Sequence, residues 1–131
     1  MAALAVVLAA PLPAQTIALK ANVPFDFMVG GRMLPAGEYM FGTSGANGVL
    51  MVQNRAGNTT TMVLASPDSS LSHSRDALIV FHRYESGYYL SGVWDGNRNF
   101  GRSVRTSSSE RESSKRASVA GPETIIILAR L

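Results

Sequence analysis

Ile17-Ala18-Leu19-Lys20-Ala21-Asn22-Val23-Pro24-Phe25-Asp26-Phe27-Met28-Val29 decides the fold class. Its odd positions are all apolar, while its even ones include Lys20, Asn22 and Asp26. Alternation of period two sends successive side chains to opposite faces of a strand, so one face of this stretch is built for burial. Pro24 has no N–H to give to a ladder, which predicts an edge position or a bulge there. Gly30-Gly31 then supplies the positive φ angles of a reversal, and Leu34-Pro35-Ala36-Gly37 reads as a second turn.

Downstream of this stretch the pattern persists in shorter pieces. Residues 38–41, 49–53, 59–65, 77–84, 88–94 and 124–128 read as strands, separated by clusters of Gly, Asn, Ser and Pro. Asn54-Arg55-Ala56-Gly57-Asn58 and Glu85-Ser86-Gly87 have hairpin composition, and 42–48 and 66–75 read as polar loops. Ile125-Ile126-Ile127-Leu128 suits a strand covered on both faces. About seven closely spaced strands predict an all-β domain, an antiparallel sandwich or small barrel.

Residues 98–120 interrupt this pattern. They hold Arg98, Arg102, Arg105, Arg111, Lys115 and Arg116 against Glu110 and Glu112, a net +4 in a chain whose total is +3. Ser107 and Glu110 have the spacing of a helix capping box, and Gly121-Pro122 that of a stop. No apolar stripe is present, so the segment is expected to be a short solvated helix or a mobile loop before the last strand.

The chain has 131 residues, with 46% apolar and 16% charged, enough apolar content for one folded core and too much for disorder. It has no cysteine, which excludes disulfides, thiolate zinc sites and a cysteine nucleophile. Residues 1–10 are apolar and uncharged, and Pro11-Leu12-Pro13-Ala14 follows. This resembles a signal peptide over 1–14, too short to span a bilayer, with a single β domain over 15–131. The protein is therefore expected to be secreted or periplasmic, with no transmembrane span. Its short strands and their number argue against an outer-membrane barrel.

Val23-Pro24-Phe25-Asp26-Phe27, Val29-Gly30-Gly31 and Leu34-Pro35-Ala36-Gly37-Glu38-Tyr39 resemble a family of small exported proteins of acidobacterial type. Val80-Phe81-His82-Arg83-Tyr84 and Tyr88-Tyr89-Leu90-Ser91-Gly92-Val93-Trp94 are similar too. The resemblance implies a secreted, β-rich protein and carries no established activity with it.

No group of residues reaches a catalytic or metal-binding pattern. His82 lies in a central strand and reads as a hydrogen-bonded structural histidine. His73, near Asp76 in a serine-rich loop, lacks the Gly-x-Ser-x-Gly elbow of a hydrolase. Asp95-Gly96-Asn97-Arg98-Asn99 alternates oxygen ligands but has Phe100 and Thr106 where a calcium loop needs glycine and an acid. Gly42, Gly45 and Gly48 precede no helix that could hold a phosphate, and Asp26 and Glu38 read as surface carboxylates. No cofactor, metal or catalytic residue is assigned.

Two surface features remain. Tyr88 and Tyr89 must point to opposite faces, so one of them is available for aromatic contact unless something covers it. Arg102, Arg105, Arg111, Lys115 and Arg116 form a cationic set suited to an anionic envelope polymer or another envelope protein, and nucleic acid is not expected for an exported chain. The expected function is a non-enzymatic exported β domain with a binding or structural role at the cell envelope. The alternative is a small-ligand or carbohydrate binder, or an enzyme, with its site in the mouth of a barrel. N-terminal sequencing of the exported protein should give Gln15 as the first residue, and an intact Met1 outside the cytoplasm would refute the leader.

Overall fold

The computed structural model describes residues 18–43, 48–56, 59–67, 75–96, 101–116 and 122–130. The leader at 1–14, His73 and the second half of the Asp95 loop lie outside these residues. The described chain forms β1 (Ala18–Val23), β2 (Phe27–Val29), β3 (Arg32–Leu34), β4 (Gly37–Thr43), β5 (Val49–Asn54) and β6 (Thr60–Pro67). Then follow β7 (Ala77–Tyr84), β8 (Gly87–Trp94), β9 (Gly101–Val104), α1 (Ser108–Arg116) and β10 (Glu123–Ala129). The chain is all-β with one short helix before the last strand.

The strands form one curled sheet. Its main path runs β1-β4-β5-β6-β9-β8, then through β7 to β10, each neighbour antiparallel. The two ends meet at a single bridge, where Lys20 N–H donates to Arg130 C=O at 2.7 Å and Arg130 N–H to Lys20 C=O at 2.9 Å. Beyond the bridge the ends part. A cleft of about 530 Å³ opens there, lined by Lys20, Asn22, Glu38, Leu128 and Arg130 with Ala21 and Ala129. The longest strands have eight residues and the inward side chains are apolar, the reverse of a membrane barrel's polar lumen.

The described residues form ten strands where about seven are expected: β2 is split from β1 and turns into the short β3, and β9 is added, for two local reasons. The first is Pro24. Leu19, Ala21, Val23, Phe27 and Val29 are all buried as the alternation requires, but the chain leaves the sheet at residues 24–26. β1 pairs with β4, whereas β2 pairs with β3 and, in parallel, with β8. The proline thus lets one inward-facing pattern serve two distant parts of the sheet. Gly30 and Gly31, with φ of 57° and 85°, make the tight β2–β3 turn.

The second reason is β9. Residues 98–120 are expected to contain no strand, yet Gly101–Val104 pairs with β6 on one side and β8 on the other. Strand pairing here follows from close approach rather than from alternation. A Cβ placed on Gly92 of β8 would lie 2.8 Å from the Arg102 carbonyl oxygen, so only glycine admits β9 at this distance.

The Pro24 and Pro35 turns are tied together. The Asp26 carboxylate accepts the Ala36 N–H at 2.9 Å, and the Tyr39 hydroxyl donates to the Pro35 carbonyl. Phe27 lies edge-on to both Tyr39 (5.0 Å) and Phe81 (5.3 Å), so this corner joins the β4 side of the sheet to the β7 side. Phe25 is only half buried, stacked on Tyr88 at 3.7 Å and edge-on to Phe81.

The strand covered on both faces is β7, not β10. Ala77, Ile79 and Phe81 face the interior, while Leu78 and Val80 form a separate buried cluster with Trp94 on the outer face. In β10, by contrast, Ile126 is 51% and Leu128 68% exposed, because this strand lies at the seam. The outward turn of Trp94 follows from a β-bulge. The register shifts between Val80↔Gly92 and Phe81↔Leu90, leaving Ser91 as the extra residue and returning Val93 to the interior. Phe27→Ala should lower stability by about 3–5 kcal/mol, read from a denaturant or thermal melt, since the side chain is fully buried between two aromatic rings.

Candidate functional site

Polar side chains converge on the outer face of β7 and β8, beneath α1. His82 and Tyr84 are two residues apart on β7 and therefore share a face, and Tyr89 is paired with His82 across the ladder. Ser91, two residues beyond Tyr89, faces the same place. α1 is laid over these residues although it has no apolar side chain, its sequence being Ser-Ser-Glu-Arg-Glu-Ser-Ser-Lys-Arg. Ser107 starts it, its hydroxyl accepting the Glu110 N–H at 3.1 Å as the capping pattern predicts.

The Glu110 carboxylate does not complete that capping box. It turns to the sheet, where one oxygen accepts His82 Nδ1–H at 2.9 Å and the Tyr84 hydroxyl at 3.0 Å. With the Nδ1 proton given to a carboxylate, His82 Nε2 faces the Ser91 hydroxyl at 3.2 Å. One turn along the helix, the buried Ser113 hydroxyl meets those of Tyr89 (2.9 Å) and Ser86 (2.6 Å). Glu110 and Ser113, three residues apart, are thus two polar keys on one helix face.

The order Ser91–His82–Glu110 has the connectivity of a hydrolase triad. The same groups also tie α1 to the sheet. Glu110 serves Tyr84 as well as His82 through the same oxygen. Ser91 sits within β8 rather than on the exposed elbow of such a hydrolase. Among the described residues no group of three or more His, Asp or Glu could hold a metal. Burial first, then the hydrogen bond to Glu110 and its negative charge, push the Tyr84 hydroxyl up from its usual 10 to about 12.

The residues singled out from sequence are distributed as follows. Tyr89 is on the outer side but buried under α1, and Tyr88 is half buried between the Phe25 ring and the Arg83 guanidinium, whose carbon lies 5.7 Å from the ring centre. Arg102 is half buried and donates to the Gly101 carbonyl. Arg105, Arg111 and Lys115 are exposed, Arg111 and Lys115 on the helix side away from Glu110 and Ser113, and Arg116 ends the helix. Asp26 holds a turn, and Glu38 pairs with Arg55 at 2.9 Å beside Arg130 at 3.7 Å. Sequence reading missed Glu110 and Ser113 as anchors. Their spacing of three on a helix without apolar residues, opposite His82 and Tyr84 at strand spacing, was the signal available.

Two measurements follow from this clamp. Glu110→Ala should cost about 2–3 kcal/mol, because it leaves His82 and Tyr84 without their acceptor, and should speed amide exchange in α1 ahead of the sheet. The second is alkaline titration. The folded chain keeps the Tyr84 proton above pH 10, where the unfolded chain releases it, so the stability it contributes is whole below pH 10 and lost as pH rises through about 12. Phenolate absorbance of the wild type minus Tyr84→Phe should show this step near 12, and Glu110→Gln should move it down.

Comparison with protein-family models, curated proteins and solved structures finds no match, so the meaning of this site rests on its geometry.

Proposed function

We propose that this chain is an exported β domain that acts by binding rather than catalysis, at the cell envelope, through a cationic outer face of Arg105, Arg111 and Lys115. The observation that carries this reading is the clamp. By burying Glu110 and Ser113, it fixes the azimuth of α1 and commits Arg111 and Lys115, four residues apart, to one exposed side. Glu110 would otherwise neutralise part of that charge, and its partners on the sheet remove it from the outer surface, which leaves Glu112 as the one exposed carboxylate of the helix beside two cations. Arg105, exposed just before the helix, extends the set. A flexible loop would present the same charges with no fixed spacing.

The interior gives the competing ligand-chamber reading little support. Leu19, Val23, Phe27, Tyr39, Phe41 and Phe81 fill it with side chains that are almost fully buried. The leader read at 1–14 supports export, and the exposed cations suit an anionic partner at the envelope. Among the described residues no helix is long and apolar enough to cross a membrane.

Retention of the protein on immobilised dextran sulfate tests the reading. Wild type should bind at low ionic strength and be released by salt, since exposed charges are screened within about 8–10 Å at 0.10–0.15 M. The triple variant Arg105→Ser, Arg111→Ser, Lys115→Ser should bind roughly a hundredfold more weakly, at ~1 kcal/mol per cation near an anionic surface. Its melt should match the wild type. Equal binding by the variant would refute the cationic face.

A further inference from the structure

We propose that the anionic partner is a lipid bilayer surface, on which the outer face of β5 and β6 seats its apolar side chains while Arg105 grips the headgroups. This rests on the cationic reading above and assigns it a partner. β5 and β6 alternate regularly, with Leu50, Val52, Thr61, Val63 and Ala65 buried inside. Val49, Met51, Met62 and Leu64 therefore point outward, and the register pairs Val49 with Leu64 and Met51 with Met62. Met62 is 62% and Leu64 54% exposed, so two adjacent cross-strand pairs make one continuous apolar patch.

Charge decides what such a patch suits. The Arg105 N–H donates to the Leu64 carbonyl at 3.0 Å, which continues the β6–β9 register by one residue and sets Arg105 beside Leu64. Val49, Leu64 and Arg105 then form one outward row across three chain segments. β5, β6 and β9 contain no Asp or Glu, so nothing in this part of the sheet repels an anion. An apolar group beside a cation, on strands free of acids, matches a bilayer interface, where apolar faces sink about 5–10 Å into the headgroup–acyl boundary beneath anionic headgroups. Unbranched methionine tips adapt to a fluid surface more readily than β-branched residues do. The exposed Leu128 of β10 stands instead beside mixed charge, in a cleft lined by Glu38 as well as Lys20 and Arg130.

Co-sedimentation of the exported, processed chain with vesicles is the test. Vesicles of phosphatidylglycerol with phosphatidylcholine should pull down the protein, and vesicles of phosphatidylcholine alone should do so at least tenfold less. Met62→Thr with Leu64→Thr, which keeps strand propensity at exposed positions, should lower vesicle binding at least tenfold, with an unchanged melt and unchanged retention on dextran sulfate. Dextran sulfate binding without vesicle binding would overturn the lipid assignment and leave the cationic reading standing. Binding to neither would overturn both. Vesicle binding that survives the double substitution would show that charge alone acts. A wild-type dimer in sedimentation equilibrium, lost in the double variant and unable to bind vesicles, would assign the patch to a second copy instead.

Discussion

Phe27 is the contact on which this small sheet depends. A curled sheet of short strands has to be held from within, because each strand adds few ladder hydrogen bonds and the seam between β1 and β10 has one bridge. Phe27 reaches across the interior to Tyr39 on one side and Phe81 on the other. It is placed there by a strand of three residues, so its position depends on the turns at either end. Asp26 ties the turn before β2 to the Ala36 N–H of the turn before β4, and Tyr39 holds the Pro35 carbonyl of that second turn. The conspicuous Val-Pro-Phe-Asp-Phe and Leu-Pro-Ala-Gly-Glu-Tyr segments are therefore one packing unit.

The helix poses the opposite problem. Most surface helices are held by an apolar stripe, and α1 has none. Its attachment is polar and specific: one carboxylate with two donors, and one serine with two hydroxyls. Burial of a carboxylate is costly unless its lone pairs are occupied, and here the occupied geometry exists for one azimuth only. A greasy stripe would tolerate rotation of the helix by tens of degrees. The hydrogen-bonded clamp does not, which is why the exposed cations acquire a defined arrangement.

The seam and the β5–β6 face show how a curled sheet distributes exposure. β7 is central and is covered on its outer face by the Leu78, Val80 and Trp94 cluster, whereas β10, next to it in the sheet, leaves Ile126 and Leu128 in water. The bulge at Ser91 contributes by turning Trp94 outward, where it packs with Leu78 and Val80. Apolar residues of similar character thus end in a second core, at an open seam, or on an outward patch, according to what the chain places above them.

Much of the β framework was legible in the order of residues. The inward phase of Leu19 through Val29, the Gly30-Gly31 reversal, β7 at residues 77–84 and the Ser107 cap depend on alternation and turn chemistry, which act over a few neighbours. Tertiary structure decided the rest. The split of the first strand at Pro24 depends on β8 offering an edge to β2, and the strand at Gly101–Val104 depends on the bare Cα of Gly92. The turn of Glu110 away from its own helix end toward His82 and Tyr84, 26 to 28 residues distant, is settled by which donors are nearest in space. Local patterns specify which way a side chain points within its element; only the packed chain specifies what stands opposite it.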